Sequence, residues 1–268
     1  MSRNGPIALA YHALFVTFML APIVVVCGVA FTPEGYLSFP TDRWSLRWFE
    51  AILRYPEFIA AFWRSLWLGA LSSAIAVAFS VPAALAIARY RFRGREAMTA
   101  LFMSPLMIPH VVLGIAFLRF FTELGLGGTF FGLVLAHIVI VLPFALRLTL
   151  ASAIGLDRSI EHAAISLGAT EGVVLRRITL PLVLPGLVSG WALAFINSFD
   201  EVTMTVFIAA PGTETLPVRM FLYIQDNIDP LVTSVSACVI AVTVAALVAL
   251  DRAWGLERLL VGRSADGR

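Results

Sequence analysis

Lysine is absent: all nineteen basic side chains among the 268 residues are arginine. A Walker A phosphate loop, a Schiff-base lysine and a Ser-Lys dyad are therefore excluded, and the chain is not expected to hydrolyse ATP or to act as an enzyme. Cysteine is nearly as scarce. Cys27 and Cys238 each lie inside an apolar run, where a small, weakly polar side chain packs as a free thiol. Charge is sparse as well, at 13% of residues and a net +2. The arginines flank apolar runs instead of forming a basic face interleaved with aromatics, so no nucleic acid is expected as a partner. No cofactor or metal site is expected either.

Apolar residues fill the space that charge leaves. They make up 60% of the chain, and the mean hydropathy of +0.91 lies outside the range of soluble domains. About 20 helical residues cross a bilayer core, and runs of that length occur near Ile7 to Phe31, Ser65 to Ala88 and Met98 to Phe121. Three more lie near Phe130 to Ala151, Leu184 to Ala210 and Leu231 to Leu250. The expectation is an all-α polytopic membrane protein with six transmembrane helices. The first run has no small-x-small cleavage pattern after Val24-Val25-Val26-Cys27 and reads as a retained helix.

Arginine accumulates in alternate loops. Arg89 to Arg95 holds four in seven residues, the region between spans four and five adds Arg158, Arg176 and Arg177, and the tail carries Arg252, Arg258, Arg263 and Arg268. By the positive-inside bias these regions, and both termini, are cytoplasmic. The opposite loops are balanced or acidic: 32–64 has four acids against four arginines, and 211–230 sets Glu214, Asp226 and Asp229 against Arg219. Trp44, Trp48, Phe49 and Trp63 in the first outer segment suit either a short helix along the membrane surface or an aromatic belt. Gly125 to Gly128 reads as a tight outer turn. Prolines at 22, 82, 105, 109, 143 and 185 favour kinks within or near the ends of spans.

The segment from Asp157 to Pro181 reads as two short helices around a break. Ile160, Ala163, Ala164 and Leu167 fall at helical spacing, Gly168 permits the turn, Thr170 can cap the second helix and Pro181 is expected to stop it. The paired alanines leave one face low enough for another protein to approach closely. This segment resembles the loop of permease subunits in binding-protein-dependent ABC importers: paired alanines, a glycine, an isoleucine and a closing Leu-Pro. Ala163, Ala164, Gly168, Ile178, Leu180 and Pro181 match at that spacing, while His162 stands where the family commonly has glutamate. The resemblance implies a coupling helical hairpin between helices four and five that docks an ATPase, with His162 among the docking residues. It also implies a second permease subunit, ATP-binding subunits and an extracytoplasmic solute-binding protein as partners. The chain would then be one transmembrane permease domain of a bacterial inner membrane, with 1–60 as first span and outer loop, 61–252 as core and 253–268 as cytoplasmic tail.

The fifth run places Asn197, Asp200 and Glu201 in an otherwise apolar stretch. Ionisable groups are costly there and by default face an aqueous pathway or a partner charge. On one continuous helix Asn197 shares a face with both acids. The trio is then either a substrate pathway favouring a cationic solute, or a cap paired with an arginine such as Arg119. Ser198 to Glu201, Pro211-Gly212-Thr213, Leu216-Pro217-Val218 and Asp229-Pro230-Leu231 are similar to the spermidine/putrescine branch of these permeases, which implies a small-molecule polyamine as cargo. Another solute of the same importer class (iron, thiamine, an organic anion) or an ion-coupled secondary transporter remains as alternative. His110 and His137 are expected to hydrogen-bond across helices, and Arg147 to snorkel.

Overall fold

The computed structural model describes residues 5–254, and they are helical without a strand among them. The helices are α1 (Pro6–Val29), α2 (Arg47–Ile52), α3 (Pro56–Arg89), α4 (Arg95–Met103), α5 (His110–Glu123) and α6 (Phe130–Ile154). They continue as α7 (Arg158–Ser166), α8 (Glu171–Val174), α9 (Leu180–Phe199), α10 (Thr205–Ile208), α11 (Leu216–Asp226) and α12 (Leu231–Trp254). Five helical stretches are long and apolar enough to cross a membrane, and the pair α4 and α5 makes a sixth if counted as one broken span. Arg258, Arg263 and Arg268 lie outside the described residues.

The third span is where the simple reading of the sequence fails. Met98 to Phe121 is not one helix: α4 runs into a 3₁₀ turn at Ser104–Met107, and the chain bends by 101° before α5 begins. The cause is local. Pro109 has no amide proton, and its ring drives the preceding residue out of the helical region, so Ile108 is extended at φ −96°, ψ 128°.

The chain divides into two compact units, residues 5–60 with 219–249 and residues 61–218 with 250–254. In the first, the segment between α1 and α3 folds back on itself. Trp48 is buried and donates its indole N–H to the Glu34 carbonyl at 2.9 Å, while Trp44 is exposed and tilts against Phe31 at 5.3 Å. A short helix, α2, does form in this segment, and Arg219 on α11 is paired with Glu57 at 3.0 Å.

In the second unit the core is built on α6 and α9. Leu133, Val134, Ala136, Ile140, Val141 and Ala145 of α6 are buried together with Leu68 and Ala76 of α3 and Ala194 of α9. The two backbones approach closely because α9 presents Gly186 and Gly190: a methyl group at Gly186 would lie 2.4 Å from Ser152 Cβ, and one at Gly190 3.1 Å from the Ala145 carbonyl. Small residues four apart drive helix association in lipid, where apolar burial alone gives little preference.

Candidate functional site

Two polar clusters lie at separate places in the second unit. The first is at the root of the hairpin formed by α7 and α8. Asp157 caps α7 by accepting the Ser159 amide at 2.9 Å, and that bond holds its carboxyl below the usual carboxylate range. Gly168 ends the helix at φ +89°, a conformation that strains side chains other than glycine. The Ala169 amide donates to the Ala164 carbonyl and the Gly168 amide to the Ile165 carbonyl, which closes a Schellman turn. Thr170 occupies the cap position of α8, yet its side chain makes no capping bond.

Pro181 does not stop the second helix. The backbone instead widens into a π turn over Leu175–Thr179, with the Leu180 amide bonded to the Leu175 carbonyl, and runs on into α9. A proline cannot bond the carbonyl four residues back and its ring collides with it. A π turn immediately before the proline removes both conflicts, which is why the expected stop becomes a bulge.

The hairpin is fastened by a residue that spacing alone did not single out. Glu161, 5% exposed, takes hydrogen bonds from Arg89 at the end of α3 and from the Thr179 hydroxyl in the π turn, while Arg89 also donates to Thr179 at 3.2 Å. One carboxylate therefore ties the hairpin's two limbs to a transmembrane helix. The only hint in the sequence was that Glu161 precedes His162. His162 itself is exposed, as are Ala163, Gly168 and Pro181, while Ala164, Ile178 and Leu180 are half-buried. Leu167 is 90% exposed at the turn, and Ile160, Ile165 and Val173 are also on the surface.

The second cluster joins the two broken spans. Span five ends earlier than expected: α9 stops at Phe199, Asp200 is its cap at φ −86°, ψ −5°, and residues 201–204 turn before α10. Asn197, Asp200 and Glu201 therefore do not share one helical face. Asp200 is exposed. Glu201 turns inward at 7% exposure, accepts the Met204 amide at 2.6 Å and accepts from His110 Nδ1 at 2.6 Å. Asn197 donates to the Leu193 carbonyl one turn back at 2.8 Å. Arg119, the cation considered for this acid pair, is instead bonded to Glu123 at 3.1 Å on its own helix.

His110 is the first residue of α5, so its bond to Glu201 pins the break at Pro109 to the break at Asp200. The same two segments meet through Gly114, where an added methyl group would lie 2.7 Å from the Phe207 ring and 3.0 Å from the Met204 carbonyl. Beside them His137 is fully buried, with Nδ1 2.7 Å from the Ser198 hydroxyl and Nε2 3.0 Å from that of Thr205. A neutral ring has one donor and one acceptor nitrogen, and two hydroxyls satisfy both. Both histidines thus bond across helices, as expected from the sequence, and Arg147 is exposed.

Comparisons with known proteins fit this geometry. The spermidine/putrescine transport system permease protein PotC of Haemophilus influenzae is 30% identical over 247 residues, covering 92% of this chain and 93% of that protein. The putrescine transport system permease protein PotI of Escherichia coli is 30% identical over 231 residues, covering 84% and 82%. Among solved structures, a bacterial ABC transporter involved in the import of the acidic polysaccharide alginate shares the fold at a TM-score of 0.71 and 16% identity, over 95% of this chain and 99% of that one. The MetNI methionine ABC transporter does so at a TM-score of 0.61 and 18% identity, over 80% and 99%. The model for binding-protein-dependent transport system inner membrane components matches residues 79–252, which include both polar clusters, and the chain belongs to that family of multi-pass membrane proteins.

Proposed function

We propose that this chain is the membrane-spanning subunit of an ABC importer for polyamines, driven by separate ATP-binding subunits that dock on the 157–181 hairpin. The observation that carries the docking role is the division of labour in α7: Glu161 holds the hairpin's root to α3, while Leu167 and its apolar neighbours are presented outward. Exposed apolar side chains on a firmly held polar loop mark a protein contact. His162, Ala163, Ala164 and Gly168 form the docking face, and Ile178, Leu180 and Pro181 link it to α9. ATP-driven movement of the docked subunits is then carried through Glu161 to α3 and through the π turn to α9, shifting the bundle between inward-open and outward-open states. The chain itself carries out no chemical step.

The polyamine assignment draws on the names of the similar permeases and on the exposed Asp200. Of the three polar residues in this stretch, Asp200 and Asn197 are the pathway contacts for a cationic solute. Glu201 shapes the pathway by holding the two breaks together. Residues 61–252 form the permease core of a single domain in the inner membrane, 1–60 add the first span and outer loop, and 253–268 a cytoplasmic tail. Both termini are cytoplasmic. The remaining partners are a second permease subunit and an extracytoplasmic binding protein that performs most of the solute selection.

The test is uptake of radiolabelled putrescine and spermidine into proteoliposomes holding the chain with its partner permease and ATPase, supplied with the binding protein. ATP-dependent uptake competed by unlabelled polyamine is the expected result. Uptake that proceeds without the ATPase would refute the ABC importer reading, and ATP-driven uptake indifferent to polyamines would refute the cargo alone.

A further inference from the structure

The arginine cluster after α3 has a feature beyond its bias in orientation. Arg91, Phe92, Arg93, Gly94 and Arg95 line an open cleft at the start of α4, and a groove of about 590 Å³ adjoins it, sharing Arg95 and Glu96. That groove is otherwise walled mainly by apolar side chains of three helices: Ile87 of α3, Met103 of α4, and Leu150 and Ile154 of α6. Thr99 also lines it, but its hydroxyl already donates to the Arg95 carbonyl at 2.9 Å. Ile87 is two residues from the end of α3 and Ile154 is the last residue of α6, so the groove lies where two spans leave the hydrocarbon.

Arg89 is taken up by Glu161 and Thr179, whereas Arg91, Arg93 and Arg95 have no ion pair among the described residues. Glu96 is the one acid in the cleft. Tyr90 and Phe92, 64% and 39% exposed, alternate with the arginines as interfacial aromatics do. A surplus of cationic guanidinium groups at headgroup level, continuous with an apolar groove at acyl-chain level, matches one chemistry at both ends.

We propose that this cleft and groove bind an anionic phospholipid, with the phosphate held by Arg91, Arg93 and Arg95 and an acyl chain lying along Ile87, Met103, Leu150 and Ile154. Basic pockets between helices on the cytoplasmic side recognise such headgroups. Because Arg89, in the same segment, holds the hairpin through Glu161, the bound lipid would steady the linker that anchors the docking element. The lipid site rests on the cytoplasmic orientation but not on the identity of the cargo.

The experiment is native mass spectrometry of the purified complex from mixed phosphatidylcholine and phosphatidylglycerol membranes, with titration of each lipid. Preferential retention of phosphatidylglycerol is expected. The combined Arg91→Gln, Arg93→Gln and Arg95→Gln variant should lose roughly 100-fold in phosphatidylglycerol affinity, at the roughly fivefold that each basic residue near an anionic surface contributes. Ala100 also lines the groove, and Ala100→Trp, which fills it and leaves every arginine in place, should weaken the lipid while leaving ATPase association intact, and it keeps the test decisive if the arginine variant fails to insert. Equal retention of phosphatidylcholine would overturn the proposal, as would unchanged affinity in Ala100→Trp or binding of soluble glycerol phosphate as tight as that of the lipid. Loss of ATPase association in the arginine variant with lipid retention unchanged would make the cluster a protein contact instead.

Discussion

The hairpin and the span-five break solve the same problem with the same arrangement of residues. Each has two adjacent polar positions, one turned in and one turned out. In the hairpin Glu161 is buried against Arg89 while His162 faces solvent; in the break Glu201 is buried against His110 while Asp200 is exposed. The inward carboxyl ties its segment to another helix, and the outward residue is left available to a partner. The two differ in the side chain that meets the carboxyl. Arg89 meets Glu161 with a planar guanidinium that also reaches Thr179, whereas His110 meets Glu201 through a single ring nitrogen.

That comparison can be broken at several points. The largest effect is expected from Gly168→Pro, because φ +89° cannot be reached by a proline ring fixed near −65°. ATPase co-purification and ATP-driven uptake should both be lost while membrane insertion is kept, and normal uptake would end the docking role. Glu161→Ala should follow, leaving Arg89 partly buried without its carboxylate at a cost of about 1–3 kcal/mol. It should loosen the hairpin and reduce coupled ATPase activity more than His162→Ala does. If the two variants behave alike, the inward and outward division in α7 is wrong.

Next in size are the acids of the break. Glu201→Gln keeps a hydrogen bond to His110 but removes the charge, and is expected to lower thermal stability by a few degrees and slow uptake of every solute. Asp200→Asn should leave stability unchanged and raise KM for a polyamine about tenfold, close to 1.4 kcal/mol, with a larger effect on trivalent than on divalent amines. A stability loss at Asp200 or a charge-selective loss at Glu201 would reverse the assignment. The smallest effect is that of Asp157→Asn. Its carboxyl is held low in the folded chain, so the cap's contribution is present above the ordinary carboxylate range and fades as pH falls through the lowered value. ATPase association in the parent chain should weaken slightly toward acid pH, and in the variant it should not.

Much of the site could be read from residue order alone. The turn at Gly168 was legible because only glycine takes a left-handed backbone cheaply, and the break in the third span was foreshadowed by Pro109. What misled was the assumption that an apolar run of sufficient length is one straight helix. Ile108 before Pro109 turned the third span through 101°, and the Glu201 contacts ended the fifth at Phe199. Pro181 misled in the opposite direction, since a π turn let the helix pass it. The partners Arg89 and Glu161 are 72 positions apart, and His110 and Glu201 are 91 apart, so no local pattern connects them.

By itself the sequence determined the solvent, the set of apolar spans and the hairpin with its matching spacing, because hydropathy, arginine bias and glycine or proline geometry act over a few residues. Only the tertiary structure decided which member of each polar pair faces inward. Burial of a carboxyl depends on a hydrogen-bond donor delivered by a distant helix, and which of two neighbours meets that donor is set by how the helices cross.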